Sequence, residues 1–349
     1  MATAMPRPPL PGNRLARGLL RFAWRSALAI GIAGSGLWGG FGLFYRLPLP
    51  DWTRIALAVL WAGLAVAALV ALLRGHYWPV AGYAAAFLCV ALWWVSLKAP
   101  AEADWQPDVA RAATATIEGS RLTIHGVRNF NWITPTEAVE KWEDRSYDLD
   151  AVTGVDLFFS YWSGPAIAHV IVSFTFANSP PLAFSIETRK TVGQAYSTIA
   201  GFFKSYGLVI IAADERDLIR LRTNVRGEDV RLYRLGIGRP NARRLLVAYA
   251  EALNRLAAQP KFYNTLRDNC TTLAFGYAAG IWPELAFDWR VLLPGYGPDY
   301  AYEIKAVDTS IPLAELKERA RIGPAAQAAD SDPDFSARIR EGVPRPPVP

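Results

Sequence analysis

The sequence predicts an α+β protein in two parts, with three N-terminal transmembrane helices ahead of a domain built on a mostly antiparallel sheet. Three observations carry this expectation. The uncharged apolar runs Ser26–Tyr45, Ile55–Leu73 and Tyr77–Leu97 fall within the first hundred residues. After Ala101 the charges are mixed, as in a domain that faces water. There, stretches with a two-residue apolar period are interleaved with stretches of helical period, without the regular β–α repeat of a parallel sheet.

Each apolar run is close to the ~20 residues that a helix needs to cross a ~30 Å hydrocarbon layer. The first is rich in glycine (Gly31, Gly34, Gly36, Gly39, Gly40 and Gly42), which lowers helix propensity in water but favours close helix packing in lipid. A cleaved signal peptide is the competing reading. It fits less well, because no small-x-small cleavage site follows and two more spans do. Residues 1–50 contain no Asp or Glu, and Arg7, Arg14, Arg17, Arg21 and Arg25 precede the first span. With Arg74 between the second and third spans, and Arg46 and Arg54 as the weaker opposing signal, the positive-inside rule puts the N-terminus in the cytoplasm. Three crossings then put everything after Leu97 outside it. Trp52, Trp61, Trp78, Trp93 and Trp94 lie in or near the spans, several at interfacial positions. The formal net charge of +6 owes much to the acid-free N-terminus, so topology accounts for it and nucleic-acid binding is not expected.

Residues 1–100 are therefore read as a membrane anchor and 101–111, with Pro107, as a polar linker. The domain spans 112–322, and an Ala-, Pro- and Arg-rich tail, 323–349, is expected to be disordered. Thr114–Val127 alternates around Gly119 and Ser120 as a hairpin would, and a short helix is expected after Pro135. The clearest strand pair is Ile167–Phe176 and Leu182–Thr188, on either side of Asn178-Ser-Pro-Pro181. Val170, Val172, Phe174 and Phe176 share one face, and His169, Ile171, Ser173 and Thr175 the other. With a turn centred near Ser179, Glu187 pairs with Ile171 and lies diagonally from His169, within side-chain reach. A helix is expected over Gly193–Tyr206 with Tyr196, Ile199, Phe202 and Phe203 inward, then strands at Leu208–Ala213 and Asp229–Leu235. Asn241 is expected to cap an amphipathic helix that runs to Leu256.

The two cysteines differ in setting. Cys89 is mid-span, where a small apolar core role suffices. Cys270 stands alone in the outer domain, so no disulfide can form within it, and an unpaired thiol in an oxidising compartment is a liability unless buried, lipidated or used. In Phe262-Tyr-Asn-Thr-Leu-Arg-Asp-Asn-Cys270-Thr-Thr-Leu a polar stretch turns into a helical pattern, which puts the thiol in a first helical turn. The field there lowers a thiol pKa, and the free N–H groups, that of Cys270 included, suit an oxyanion. Asn269 or Thr271 as a simple helix cap is the plainer account of the same residues. A thiolate nucleophile needs a proton carrier, and this domain has His125 and His169. His125 reads as an exposed turn residue; His169 has Ser185, Glu187 and Arg189 on its side of the strand pair, although a structural histidine satisfied by Glu187 would look the same. Arg189, Arg216 and Arg222 are candidates for lipid headgroup phosphates, against the commoner alternative of a solvated, salt-bridged face.

Several strings taken in order, Arg128-Asn-Phe130, Ala168-His-Val170, Ser185-Ile-Glu-Thr-Arg189, Asp214-Glu-Arg-Asp217, Arg222-Thr223, Phe262-Tyr-Asn-Thr265 and Asn269-Cys-Thr-Thr272, resemble the extracytoplasmic domain of the Lnb-type lipoprotein N-acyltransferase family over roughly Trp105–Ile322. The resemblance implies a permuted papain-like, NlpC-like fold with the histidine strand ahead of the cysteine helix. It also implies Cys270 as nucleophile and His169 as base. Beside them, Glu187 is the candidate for the third catalytic residue, and Asn269, Tyr263 and Ser185 are candidates for oxyanion or positioning roles. The implied reaction moves an acyl chain onto a lipoprotein amine, with membrane lipids and lipoproteins as partners and no cofactor or metal. Three helices precede the domain here, whereas the family's characterised members are associated with helices after it. That difference leaves the substrate open between lipid acyl transfer, cell-wall amide hydrolysis and a non-catalytic scaffold, and the oligomeric state is equally open. The topology has a direct test: a reporter active only outside the cytoplasm, fused after Ala101, is expected to be active, and a silent fusion would overturn the span count.

Overall fold

The computed structural model describes residues 12–347, and side chains from residue 16 to 347. Arg7 and the side chain of Arg14, part of the cationic N-terminal cluster, lie outside the described residues, as do the final two residues. The chain divides into two compact units, Met1–Leu97 and Lys98–Pro349.

The first unit holds α1 (Gly12–Arg46), α2 (Asp51–Leu73) and α3 (Tyr77–Ser96). All three are long and apolar enough to cross a membrane. Helix α1 starts well before Ser26, because arginine is a good helix former and the helix continues through the cationic segment. The glycines serve packing: a Cβ on Gly36 would stand 2.8 Å from that of Ala65, and one on Gly39 would overlap the Trp61 ring. Ile32, Trp61, Ala65, Ala68, Leu72 and Tyr83 form the interior of this unit. Cys89 is exposed on α3, not packed in that interior as its apolar surroundings in sequence suggested.

The second unit is the α+β domain. The hairpin forms as β1 (Thr114–Glu118) and β2 (Arg121–Arg128), with Gly119 supplying the positive φ of 62° at the turn. After Pro135 there is no helix. The Thr134 hydroxyl accepts from the N–H of Glu137 at 3.0 Å and closes a turn between β3 (Asn131–Trp132) and β4 (Ala138–Val139). Strand β5 (Trp142–Asp148) then pairs with β2. Next come β6 (Val152–Ser163), a strand absent from the sequence reading, β7 (Ile167–Phe176) and β8 (Leu182–Arg189).

The expected helix over Gly193–Tyr206 shrinks to α4 (Thr198–Phe202). Gly193 turns the chain at φ 78°, and a Cβ on Gly201 would crowd the side chain of Thr265. Of its supposed inward residues only Phe203 is buried, while Tyr196, Ile199 and Phe202 are exposed. Then follow β9 (Gly207–Asp214), α5 (Glu215–Arg220), β10 (Asp229–Arg234) and α6 (Arg239–Ala258). Helix α6 begins ahead of Asn241 because Pro240 is preorganised for a first helical turn, so Asn241 is not its cap.

The sheet order is β1-β2-β9-β8-β7-β6-β10, with β5 on β2 and a single parallel contact between β2 and β9. Both faces are covered. On one, Phe174 and Phe184 pack on Tyr249 of α6. On the other, Ile171, Ile211, Leu218 and Ile219 pack with Phe335 and Ile339 from the C-terminal segment. Two of the strings noted in the sequence meet at the end of β2: Asp217 accepts from Arg128 Nε and Nη2 at 2.9 Å each, from the Phe130 N–H and from Trp132 Nε1.

Residues 323–347 are folded, which corrects the expected disordered tail. After α7 (Cys270–Ala279), α8 (Gly297–Glu303) and α9 (Leu313–Arg319), the chain forms α10 (Gly323–Ala328) and α11 (Phe335–Arg338). Its few apolar residues are spent fully, with Phe335 and Ile339 buried. Arg340 bonds the buried carboxylates of Asp156 on β6 (Nε, 2.9 Å) and Glu215 on α5 (Nη2, 2.6 Å). Composition gave no sign of this, because the partners are more than a hundred residues upstream. Removing one side of a buried ion pair leaves a bare buried charge. Arg340→Ala is therefore expected to cost roughly 3–5 kcal/mol and to lower the melting temperature by roughly 6–20 °C in a domain of this size. Arg319→Ala, which removes an exposed intrahelical pair, should change little; equal losses in a thermal melt would show that the strap's ion pairs do not hold the fold.

Candidate active site

The register of β7 on β8 pairs Ile171 with Ser185. Continuing that ladder places Glu187 opposite His169, a two-residue slip from the diagonal expected from sequence. A slip of two preserves the face, so the residues expected together still meet. Ser185 is fully buried, and its hydroxyl lies 2.7 Å from His169 Nε2 and donates to Glu187 Oε1 at 2.6 Å. His169 Nε2 is also 3.2 Å from Glu187 Oε1. Because Nε2 faces this pair, Nδ1 is the ring nitrogen left for the thiol.

Cys270 is buried at the first position of α7. Asn269 caps the helix: its Oδ1 accepts from the Thr271 and Thr272 N–H groups at 2.9 Å each, and its Nδ2 donates to the Thr265 carbonyl at 2.8 Å. The plainer reading of Asn269 is thus the structural one. The cap leaves the Cys270 N–H out, at the end of the helix where the dipole is felt most.

Burial alone would push the Cys270 thiol up. The facing His169 imidazolium, hydrogen-bonded to the sulfur, and the Val170 N–H reverse this and hold it below the ordinary thiol value. Burial likewise pulls His169 down, but the Glu187 carboxylate and the Cys270 sulfur outweigh burial and the repulsion from Arg222, and raise it to about 9. Against the cost of its own burial, Glu187 is held well below the usual carboxylate range by His169 and Arg222. Both shifts favour a thiolate paired with an imidazolium.

Arg222 belongs to this charge network and not to a headgroup surface. It is buried, donates to Glu187 at 2.9 Å and faces Glu228 at 3.6 Å. Glu228 in turn accepts from Ser160, the residue directly across from His169 on β6. Neither Ser160 nor Glu228 was legible without β6, since strand parity is what puts Ser160 on the histidine's face. The other two arginines proposed for headgroups are also committed internally. Arg189 donates to the Val109 and Ala110 carbonyls at 3.0 and 2.7 Å and stacks on Trp105, and Arg216 donates to the Asp330 carbonyl at 2.7 Å. His125 pairs with Asp144 at 2.7 Å on the exposed face of β2, as an outer turn residue would.

Two phenols lie in the vicinity of the sulfur. Burial pushes up the pKa of both Tyr263 and Tyr249, and the Cys270 charge adds to it, so both are neutral donors close enough to feel that charge. The Tyr249 hydroxyl is buried without a hydrogen-bond partner among the described residues. Sequence reading took Tyr249 only as a core residue of α6; the packing of α6 beside α7 is what brings it here. Among the described residues no three His, Cys, Asp or Glu side chains are grouped to hold a metal. The side chains of the site can supply a nucleophile, a proton carrier with a fixed orientation and neutral donors.

The thiolate is directly measurable. In a Cys89→Ala background, the alkylation rate of Cys270 is expected to rise with pH through a midpoint below the ordinary thiol range of about 8.5. His169→Ala should move that midpoint upward, past the ordinary value, because burial then acts unopposed. An unmoved midpoint would mean that the imidazolium does not set the charge on sulfur.

Residues 138–295 match the family model described as the Lnb N-terminal periplasmic domain. No curated protein and no solved structure matches the chain. The matched segment contains His169, Ser185, Glu187, Arg222, Glu228, Tyr249 and Cys270, and leaves out the membrane helices, the first hairpin and the C-terminal strap. Residues 138–295 are thus similar to the Lnb N-terminal periplasmic domain, in a chain whose three N-terminal helices are long and apolar enough to cross a membrane.

Proposed function

We propose that the domain is a cysteine-dependent acyltransferase acting on lipid or lipoprotein acyl groups, anchored in the inner membrane with its N-terminus cytoplasmic and the domain periplasmic. The observation that carries this reading is the buried Cys270 at a helix start facing His169, whose ring is fixed from behind by Ser185 and Glu187. The Cys270 thiolate attacks the carbonyl carbon of an acyl ester. The oxyanion is met by the Cys270 N–H and by neutral phenols such as Tyr263. His169 gives its proton to the departing alkoxide as the C–O bond breaks, leaving an acyl thioester and a neutral imidazole. An amine then attacks the thioester while His169 takes its proton. The amide leaves, and thiolate and imidazolium are restored. With water in place of the amine, the same groups would release a carboxylic acid.

Two results would distinguish transfer from the alternatives. Full-length protein in detergent, given a phospholipid with a tagged acyl chain, is expected to take up a hydroxylamine-sensitive label on Cys270. The label should be absent in Cys270→Ala and formed about 10²- to 10⁴-fold more slowly in His169→Ala. Cleavage of cell-wall peptides with no label would favour a hydrolase; no reaction, with Cys270→Ala restoring a deletion strain in full, would leave a scaffold. Turnover is expected to fall as pH rises through about 9, where His169 loses the proton that the leaving group needs. Glu187→Gln should bring that alkaline limb to lower pH, because the carboxylate is what raises the imidazole.

A further inference from the structure

Next to the site the domain exposes large apolar side chains that a water-facing surface would be expected to bury. Trp162 at the end of β6 is 51% exposed, Val192 58%, Tyr196 43%, Ile199 50%, Phe202 41% and Leu266 47%. They are one neighbourhood. The Trp162 and Tyr196 rings meet edge to face at 6.2 Å, and Thr265, next to Leu266, donates to the Thr198 carbonyl at 3.0 Å. The patch continues toward the cysteine segment: the Tyr196 ring stacks on Tyr206 at 6.1 Å, and the Tyr206 carbonyl accepts from the N–H of Tyr263, seven residues before Cys270, at 3.0 Å. A contiguous exposed apolar surface of this kind marks a contact with a membrane or a partner.

Two features of the same surface identify the occupant. The segments that frame it, residues 188–207 and 260–267, contain Lys190, Lys204, Lys261 and Arg267 besides the internally bonded Arg189, with Glu187, which is held in the site, and Asp268 at their ends. An apolar face rimmed mostly by cations matches a leaflet whose headgroups carry phosphate. The domain's own entry point lies there too. The Val192 N–H donates to the Asp104 carbonyl at 2.8 Å, and Gln106 N–H to the Lys190 carbonyl at 2.9 Å, so the chain that continues from the last apolar helix joins the domain on the loop bearing Val192. Only Leu97–Ala103 intervenes. Seven residues span at most roughly 25 Å, so the tether between that helix and this edge of the domain is short.

From these observations we infer that the surface around Ile199 and Phe202 inserts into the headgroup–acyl boundary of an anionic phospholipid leaflet and opens the site toward its acyl chains. The surface deepens the proposed acyl transfer and rests on it only for the fate of the chain that enters. Ile199 and Phe202 penetrate, Lys190, Lys204, Lys261 and Arg267 hold phosphate, and the way past Tyr196 and Tyr263 leads to Cys270.

The test uses the full chain in nanodiscs containing phosphatidylglycerol. A spin label at Ile199→Cys, in a Cys89→Ala and Cys270→Ser background, is expected to collide with oxygen in preference to a water-soluble nickel chelate. A label at Glu118→Cys on the β1–β2 turn, exposed and away from the patch, should show the opposite. If the Ile199 label meets the chelate as freely as the Glu118 label, the insertion is refuted. In the unlabelled protein, Ile199→Asp with Phe202→Asp is expected to slow acylation of Cys270 from bilayer lipid at least about ten-fold, the loss of two inserted apolar groups. Alkylation of Cys270 by a small water-soluble reagent should be unchanged in that variant, and equal slowing of both would mean the substitutions damaged the fold or site and not a membrane contact. An inserted Ile199 label with no acyl-Cys270 would uphold the surface and end the acyl-transfer reading. Acylation with Ile199 in water would do the reverse.

Discussion

The carboxylate of Glu187 accepts from Ser185 and Arg222 and faces His169, all through Oε1, and the state of the thiol depends on that shared acceptor. A buried imidazole would by itself shed its proton, and a buried thiol would keep its own. Glu187 reverses the first tendency, and the imidazolium it sustains reverses the second. The cost passes outward: a carboxylate at this position is itself buried, so Arg222 stands behind it, with Glu228 and Ser160 behind Arg222. Charge on sulfur is thus maintained by a row of alternating signs that runs across β8, β7 and β6.

The same solution recurs wherever the sheet buries an ion. Asp217 is surrounded by four donors from Arg128, Phe130 and Trp132 where β2 meets α5. Glu215 and Asp156 are closed over by Arg340, with Ser173 as a further donor to Glu215. Ser173 and Asp156 sit opposite each other on β7 and β6, on the face that carries His169 and Ser160. One face of the sheet is therefore polar at both ends and apolar only around Ile171 and Phe158. The C-terminal segment covers one polar end, and the site occupies the other.

This division explains which residues were legible. Alternation along Ile167–Phe176 and Leu182–Arg189 fixed the faces of His169, Ser185 and Glu187, and face is conserved under the two-residue error in register. The polar run before an apolar helix located Cys270 at a helix start. What failed is equally particular. The five-residue gap of the β7–β8 turn, which includes Pro180 and Pro181, does not determine where pairing begins, so the slip was invisible. Tyr196, Ile199 and Phe202 follow a helical apolar spacing yet face outward, because spacing records only that side chains share a face and not what meets it. Arg189, Arg216 and Arg222 had the composition of an anion surface, but guanidinium groups are judged by their acceptors, and theirs are carbonyls and carboxylates of the domain itself. The C-terminal segment misled for the same reason, since its stability resides in distant partners.

By itself the sequence determined the membrane helices, the class of the domain, the helix that presents Cys270 and the strand face that presents His169. Those follow from periodicity and local propensity, which act over a few residues. Tertiary structure alone decided that Tyr249 packs against Tyr277 of α7, that Arg222 and Glu228 stand behind Glu187, that Arg340 closes the far end of the sheet and that Ile199 is left outside. Each of those depends on a contact between residues far apart in the chain, and a buried charge or an exposed apolar group acquires its meaning only from what folding places against it.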